Sequence, residues 1–153
     1  FTALSRTYKY YISKKKNPFF NKYSWNLYGN MDIKKMNEAA QILFEYNDFT
    51  SFAKLHTDVK TNNCKIMQAE WIDDSNMLVF TIKADRFLRN MVRAIVGTLL
   101  DVGKKKIDLN EFRQIIETKN RSEAGFSVPA RGLFLDKIEY PANIIQVDLA
   151  NKK

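Results

Sequence analysis

Residues 82–97 read IKADRFLRNMVRAIVG, a stretch in which a strand-like run passes directly into a helix-like run. The spacing of the apolar residues predicts an amphipathic helix from Arg86 to Val102. Its apolar stripe comprises Phe87, Met91, Val92, Ile95, Val96 and Leu99. A helix with so wide a stripe must pack against another layer, so this stretch predicts a core helix lying on a sheet.

The same predicted helix carries a second stripe of small and polar residues, made of Arg86, Arg89, Asn90, Arg93 and Gly97. Arg93 is the least expected member because its neighbours from 91 to 96 are otherwise apolar. A buried guanidinium requires an anion, since an unpaired buried charge is strongly destabilising. The spacing leaves two partners open: a carboxylate in a structural salt bridge, or an active-site carboxylate or phosphate.

The sequence around this helix predicts alternating strands and helices. The other predicted elements are a strand at 5–13, a helix at 31–43, strands at 65–72 and 77–84 joined by a four-residue loop, a helix from Asp108 with a capping box to Glu111, and a strand at 132–140. The tail after Pro141 is expected to fray. This order predicts an α/β (α+β) fold, a largely antiparallel sheet with helices packed on it.

The composition is that of one soluble globular domain over residues 1–153. The chain is 45% hydrophobic and no apolar run reaches the roughly 20 residues that a membrane span requires. Cys64 is the only cysteine, which excludes an intrachain disulfide and a thiolate zinc site and favours a cytoplasmic setting. The first residue is Phe1 rather than Met, so we interpret the opening as a cut within a longer protein.

The net charge of +8 arises from 25 basic and 17 acidic residues and favours a polyanionic partner such as RNA over a merely soluble basic surface. The candidate RNA-binding residues are Arg6, Lys9, Arg86, Arg89, Lys104, Lys105 and Lys106. Tyr8 and Tyr10 lie among these cations on one face of the first predicted strand. They are either core residues or aromatic surfaces on which a base stacks.

Four blocks of the chain, in order, resemble the tRNA pseudouridine synthase A family. The blocks are residues 1–10, 47–52, 82–97 and 130–135. The resemblance implies the C-terminal half of the pseudouridine synthase fold. It also implies a full-length enzyme that isomerises uridine to pseudouridine at nucleotides 38 to 40 of the tRNA anticodon stem-loop, without a cofactor or metal and as a homodimer.

Carried over to this chain, the resemblance assigns three pocket residues. Tyr8 packs on the target uracil, Arg93 pairs with the catalytic aspartate, and Leu133 lines the uracil pocket. The family's nucleophile lies in a Gly-Arg-Thr-Asp-Ala-Gly segment of the N-terminal half, which these 153 residues lack. We therefore expect this chain to be inactive alone, and Arg93 to lie largely buried without a two-point contact to a carboxylate of the chain.

Two other functions remain as alternatives. The first is a free-standing RNA-binding or dimerisation module that has the family's shape without its chemistry. The second is a DNA-binding protein, suggested by the basic residues of the predicted helix from Arg86 to Val102. This reading is the weakest, because a helix that is apolar around most of its circumference does not fit a groove.

Overall fold

The computed structural model describes residues 3–15, 22–27, 29–54, 61–141 and 145–148. Within these ranges the chain forms six β-strands and three α-helices. In chain order they are β1 (Ser5–Ser13), β2 (Trp25–Asn26), α1 (Ile33–Ile42), β3 (Ile66–Asp74), β4 (Met77–Ala84), α2 (Met91–Gly103), α3 (Leu109–Thr118), β5 (Leu133–Tyr140) and β6 (Ile145–Asp148).

The strands form one sheet in the order β3-β4-β1-β5-β6, with antiparallel neighbours throughout. The central strand β1 pairs with β4 on one side and with β5 on the other. The short strand β2 runs parallel to the end of β1. The expected largely antiparallel sheet with helices packed on it is confirmed.

The core lies between one face of the sheet and the helices. Tyr10 of β1 and Phe80 of β4 are paired neighbours, and both are fully buried in a single cluster with residues of all three helices. Helix α2 is the most deeply buried element, because 11 of its 13 residues are buried. None of the helices in the described ranges has both the length and the apolar character needed to cross a bilayer.

Helix α2 begins at Met91, so the predicted start at Arg86 is wrong. Local side-chain bonds hold residues 85–90 as a loop instead. The Asp85 carboxylate accepts from the Lys65 backbone N–H at 2.7 Å, and Arg86 Nη1 donates to the carbonyls of Thr61 and Asn63. Asn90 then adopts a left-handed conformation with φ of 70°, which is incompatible with continuing the helix backwards.

The β3–β4 turn, the C-terminal tail and the start of α3 were also predicted from the sequence. The β3–β4 connection is a two-residue turn at 75–76, because Asp73 and Asp74 pair with Leu78 and Met77 and extend the hairpin. Residues 145–148 of the tail form β6, which pairs with the edge of β5, so the expectation of fraying is wrong for these four residues. The predicted capping box at the start of α3, with Asp108 and Glu111, is confirmed.

A side chain of α1 covers the outer edge of β3. Asn37 Oδ1 accepts from the backbone N–H of Trp71 at 2.7 Å, and Asn37 Nδ2 donates to the Trp71 carbonyl at 3.1 Å. Gln41 Nε2 donates to the Ala69 carbonyl at 3.3 Å. The two amides replace the hydrogen bonds of a missing neighbouring strand, so this edge is closed to further strand pairing.

Replacing Asn37 by alanine should therefore destabilise the chain by about 1 to 3 kcal/mol, because both bonding groups of Trp71 lose their partner. Denaturant unfolding measures this loss. Asn110→Ala is the matched control, since Asn110 is an exposed asparagine of α3 with no side-chain hydrogen bond to a described residue. Equal unfolding free energies for the two variants would show that the edge contact contributes nothing.

Candidate functional site

A pocket of about 530 Å³ opens beside the N-terminal end of α2, next to β1 and the start of β5. The three pocket residues selected from the sequence, Tyr8, Arg93 and Leu133, all line it. The other lining residues are Lys54, Phe87, Leu88, Arg89, Asn90, Met91 and Val92. Residues from four separate parts of the chain thus meet at one cavity that is large enough for a nucleobase with its ribose.

One side of the pocket is aromatic and apolar. The rings of Tyr8 and Phe87 meet edge to face, with centroids 5.1 Å apart and an angle of 89°. Both side chains are partly exposed, so their ring surfaces are accessible from the cavity. Aromatic side chains of this kind can stack on any nucleobase, because every base has a flat aromatic face.

The charge around the pocket is positive. Lys54, Arg89 and Arg93 line it, whereas no aspartate or glutamate is among the lining residues of the described chain. Arg89 and Lys54 are exposed at the rim, and the Lys54 backbone N–H donates to the Arg89 carbonyl at 3.0 Å. The pocket therefore combines positive charge with an apolar wall. This combination suits a nucleotide, which carries a negative phosphate beside a planar base.

The Arg93 side chain is partly buried. Its Nε donates to the Val128 carbonyl at 2.7 Å, and its own carbonyl accepts from the Val128 N–H at 3.2 Å. Among the described residues, no carboxylate forms an ion pair with its guanidinium. The structural salt bridge left open by the sequence is thus not made within the described chain.

The segment that receives Arg93 is a strap, defined as residues 124–129, which crosses α2 in direct backbone contact. A Cβ at Gly97 would lie 1.7 Å from the Phe126 carbonyl oxygen, so only glycine fits there. The Gly125 N–H donates to Thr98 Oγ1 at 2.9 Å. The strap is therefore fixed to the helix along its length and sets the position of the Arg93 side chain.

Tyr10 anchors the end of the strap. Its hydroxyl donates to the Pro129 carbonyl at 2.7 Å, and its side chain is fully buried. Burial raises the pKa of the Tyr10 hydroxyl well above its usual value, although the nearby Arg93 and Arg131 lower it. The hydroxyl consequently stays protonated as a donor. Of the two roles left open for the tyrosines, Tyr10 is a core residue, whereas Tyr8 faces the pocket.

The remaining basic candidates do not line the pocket. Lys9 lies on the opposite face of β1 from Tyr8 because strand side chains alternate, whereas Arg6 is on the face of Tyr8. Arg86 donates to backbone carbonyls, as described above. Lys104, Lys105 and Lys106 follow the other end of α2, about 20 Å away along a 13-residue helix.

The lysine run at 104–106 has an acidic neighbour. Burial raises the pKa of the Asp101 carboxyl, and the nearby Lys106 and Lys104 oppose that shift. The backbone N–H groups of Lys104 and Lys106 bond the carbonyls of Leu100 and Asp101 and so cap the helix. Lysines at a helix C-terminus also complement its dipole. Part of the positive charge counted in the sequence is therefore compensated within the fold.

The block at 47–52 serves the fold rather than the pocket. Asp48 Oδ1 accepts from the backbone and the hydroxyl of Thr50, and Ser51 Oγ donates to the Ile115 carbonyl of α3 at 2.6 Å. Phe49 and Phe52 are fully buried. Asp48 is not a pocket residue, and no cluster of metal-ligating side chains occurs in the part of the chain that the structure describes.

Sequence reasoning did not assign Lys54, Phe87 and Asn90 to the site. Asn90 was placed on a helical stripe, whereas it ends a loop and faces the cavity. A signal was present: asparagine is one of the few residues that readily adopt a left-handed conformation, and it stands here directly before the apolar run. Lys54 reaches the pocket only through tertiary packing, which no local pattern indicates.

Replacing Arg93 by methionine should lower the free energy of unfolding by about 1 kcal/mol, because the Val128 carbonyl loses its donor. From the apolar surroundings of Arg93 in the sequence, the opposite result is expected, since removal of an uncompensated buried charge stabilises a protein. The Arg93 side chain keeps some contact with solvent, so it bears only part of that penalty. Arg89→Met is the control, as the Arg89 side chain is exposed and bonds no described residue. A melting temperature that rises in Arg93→Met would contradict the strap contact.

Comparison with known proteins gives an independent result. A family model described as tRNA pseudouridine synthase matches residues 39–141. The tRNA pseudouridine synthase A of Bacteroides fragilis is 59% identical over 147 residues, which are 95% of this chain and 58% of the relative. That of Bacillus subtilis is 35% identical over 142 residues, covering 92% of this chain and 58% of the relative.

The chain thus spans a little under three fifths of the length of these curated relatives. The family-model match covers the pocket except for Tyr8, because residues 39–141 include Lys54, the loop before α2 and the start of β5. The resemblance stated from the four sequence blocks is confirmed: the chain belongs to the tRNA pseudouridine synthase A family.

Proposed function

We propose that the chain is one domain, the C-terminal, substrate-facing part of a tRNA pseudouridine synthase. The full-length enzyme isomerises uridine to pseudouridine at nucleotides 38 to 40 of the anticodon stem-loop and uses no cofactor. The observation that supports this most directly is the convergence of Tyr8, Arg93 and Leu133 on one cavity. These residues are far apart in the sequence and come together only in the folded chain.

In this proposal each wall of the pocket has a separate task. Tyr8 packs on the uracil ring, Phe87 contacts Tyr8 edge to face, and Leu133 of the neighbouring strand β5 lines the pocket as well. Together they hold the base in an environment from which water is largely excluded. An aspartate supplied by the N-terminal half of the protein is the nucleophile that cleaves the glycosidic bond, after which the uracil is reattached through carbon.

Arg93 orients and ionises that aspartate. Its Nε is already bonded to Val128, whereas its two Nη groups form no hydrogen bond with a described residue. These two groups form a planar fork that suits a carboxylate in two-point contact. A guanidinium held against a carboxylate lowers the pKa of that carboxyl and keeps it charged, as a nucleophile requires.

The tRNA is bound through its phosphates and its target base together. Lys54 and Arg89 stand at the rim of the pocket and contact phosphates next to the flipped uridine. Arg6, Lys9, Arg86 and the lysines at 104–106 are further candidate phosphate contacts outside the pocket. The two ends of α2 are about 20 Å apart, and in this proposal one tRNA contacts residues at both.

The partners in this proposal are tRNA, the N-terminal half of the same protein and, at full length, a second copy in a cytoplasmic homodimer. The alternative of a module that binds RNA without catalysis differs in one respect. It predicts that the pocket is used without any aspartate, whereas the enzyme proposal requires one from outside these 153 residues.

The 153-residue chain alone should release no tritium from tRNA labelled at C5 of uridine, because the family's nucleophile segment is absent from it. Addition of the N-terminal half as a separate polypeptide should restore some release if the two parts associate. Turnover by the purified chain alone, above that of a mock preparation, would refute the requirement for an external aspartate.

Binding of tRNA by the chain should weaken steeply with salt. Arg89→Gln should reduce the slope of log affinity against log salt by about 1, since one phosphate contact is lost. Arg113→Gln is the charge-matched control, because Arg113 already pairs with Glu45 at 2.7 Å. Filter binding over a salt series measures both. An unchanged slope in Arg89→Gln would remove this residue from the RNA surface.

A further inference from the structure

The side chain of Asn90 has one hydrogen-bonding atom in use and one available. Its Nδ2 donates to Ser127 Oγ of the strap at 2.6 Å. Its Oδ1 has no hydrogen-bond partner among the described residues, and this oxygen is not among the atoms that are both buried and unpaired. It is therefore open to solvent. Because Asn90 lines the cavity, this oxygen is an accessible acceptor at the pocket wall.

The orientation of the Asn90 amide is fixed by Ser127 and Arg121, which lie on the side away from the pocket. Arg121 lies outside the pocket and donates through Nη2 to Ser127 Oγ at 2.9 Å and through Nη1 to the Gly125 carbonyl at 2.9 Å. Ser127 Oγ thus accepts from Arg121 and from Asn90 at the same time. With its NH₂ group tied to the strap, the amide turns its oxygen away from the strap.

The Asn90 backbone is restrained as well. Its φ of 70° places it in the left-handed region, and its carbonyl accepts from the Ala94 N–H at 3.1 Å as the first bond of α2. Asparagine tolerates this conformation at little cost. The position of the side chain is thus set by the start of the helix and by the strap together, before any ligand is bound.

We propose that Asn90 is the specificity-determining residue of the pocket, and that its Oδ1 accepts the N3–H of a uracil ring. Ser127 and Arg121 are positioning residues that keep this oxygen turned to the base. The inference rests on the proposed function, because it needs a pyrimidine next to Tyr8. Cytosine carries a lone pair at N3 instead of a hydrogen, so the Asn90 oxygen would repel it.

The test is titration of the 153-residue chain with uridine 5′-monophosphate and with cytidine 5′-monophosphate, followed by NMR shifts of the pocket residues. The chain should bind the uridine nucleotide roughly two- to tenfold more tightly, as one hydrogen bond predicts. The 3-methyluridine nucleotide, which lacks the N3–H, should bind like the cytidine nucleotide. This comparison needs no substitution and is independent of any folding defect.

Substitutions then identify the residue. Asn90→Gly keeps a residue that suits the left-handed conformation but removes the amide, and it should abolish the preference for uridine. Ser127→Ala and Arg121→Gln should each reduce the preference, and neither should reduce it further in the Asn90→Gly background. Such non-additivity is expected only if all three act through the same oxygen.

Thr98→Val is the control for a purely structural effect of the strap. It removes the acceptor of the Gly125 N–H and leaves the path from Arg121 to Asn90 intact, so the uridine preference should persist. A preference that survives Asn90→Gly, that is absent from the unmodified chain, or that is lost equally in Thr98→Val would overturn the inference.

The tRNA affinity measured in parallel separates the two proposals. Binding of tRNA without nucleotide discrimination counts against Asn90 alone, whereas loss of both counts against the proposed function.

Discussion

The contact between the strap and α2 at Gly97 is the constraint on which the pocket depends. The Phe126 carbonyl lies where any side chain at position 97 would have to begin. This close approach brings the strap backbone within reach of Arg93 and Asn90, which bond Val128 and Ser127. If the strap lay further from α2, the side chains of Arg93 and Asn90 would be exposed to solvent without these partners. The pocket is therefore formed by backbone packing first and by its polar groups second.

Arginine has two different uses around this contact. Arg86 and Arg121 direct Nη groups at carbonyl or hydroxyl oxygens of their own chain and hold loops in place. Arg89 stands exposed at the rim, and its guanidinium bonds no described residue. Arg93 combines both uses, because its Nε holds the strap while its two Nη groups remain for a ligand. The planar guanidinium, with five donors in fixed directions, makes this division possible, whereas a lysine cannot provide it.

The limits of the sequence patterns have identifiable causes. The strand at 5–13 and the capping box at Asp108 were predicted correctly, because strand alternation and helix capping are local. The predicted start of α2 was wrong, since Arg86 and Asp85 bond to residues 61–65, which lie 20 to 25 positions earlier in the chain. The strand β6 was missed because its pairing depends on the free edge of β5.

By itself the sequence determined the fold class, the family and three residues that meet in the pocket. Apolar periodicity and four short blocks carry that information, since both are linear patterns. Only the tertiary structure decided which atoms of those residues remain available. Which Arg93 nitrogen is engaged and which way Asn90 turns depend on strap residues that lie 35 and 37 positions further along the chain. Hydrogen-bond direction is a property of three-dimensional placement, and no spacing rule along one chain encodes it.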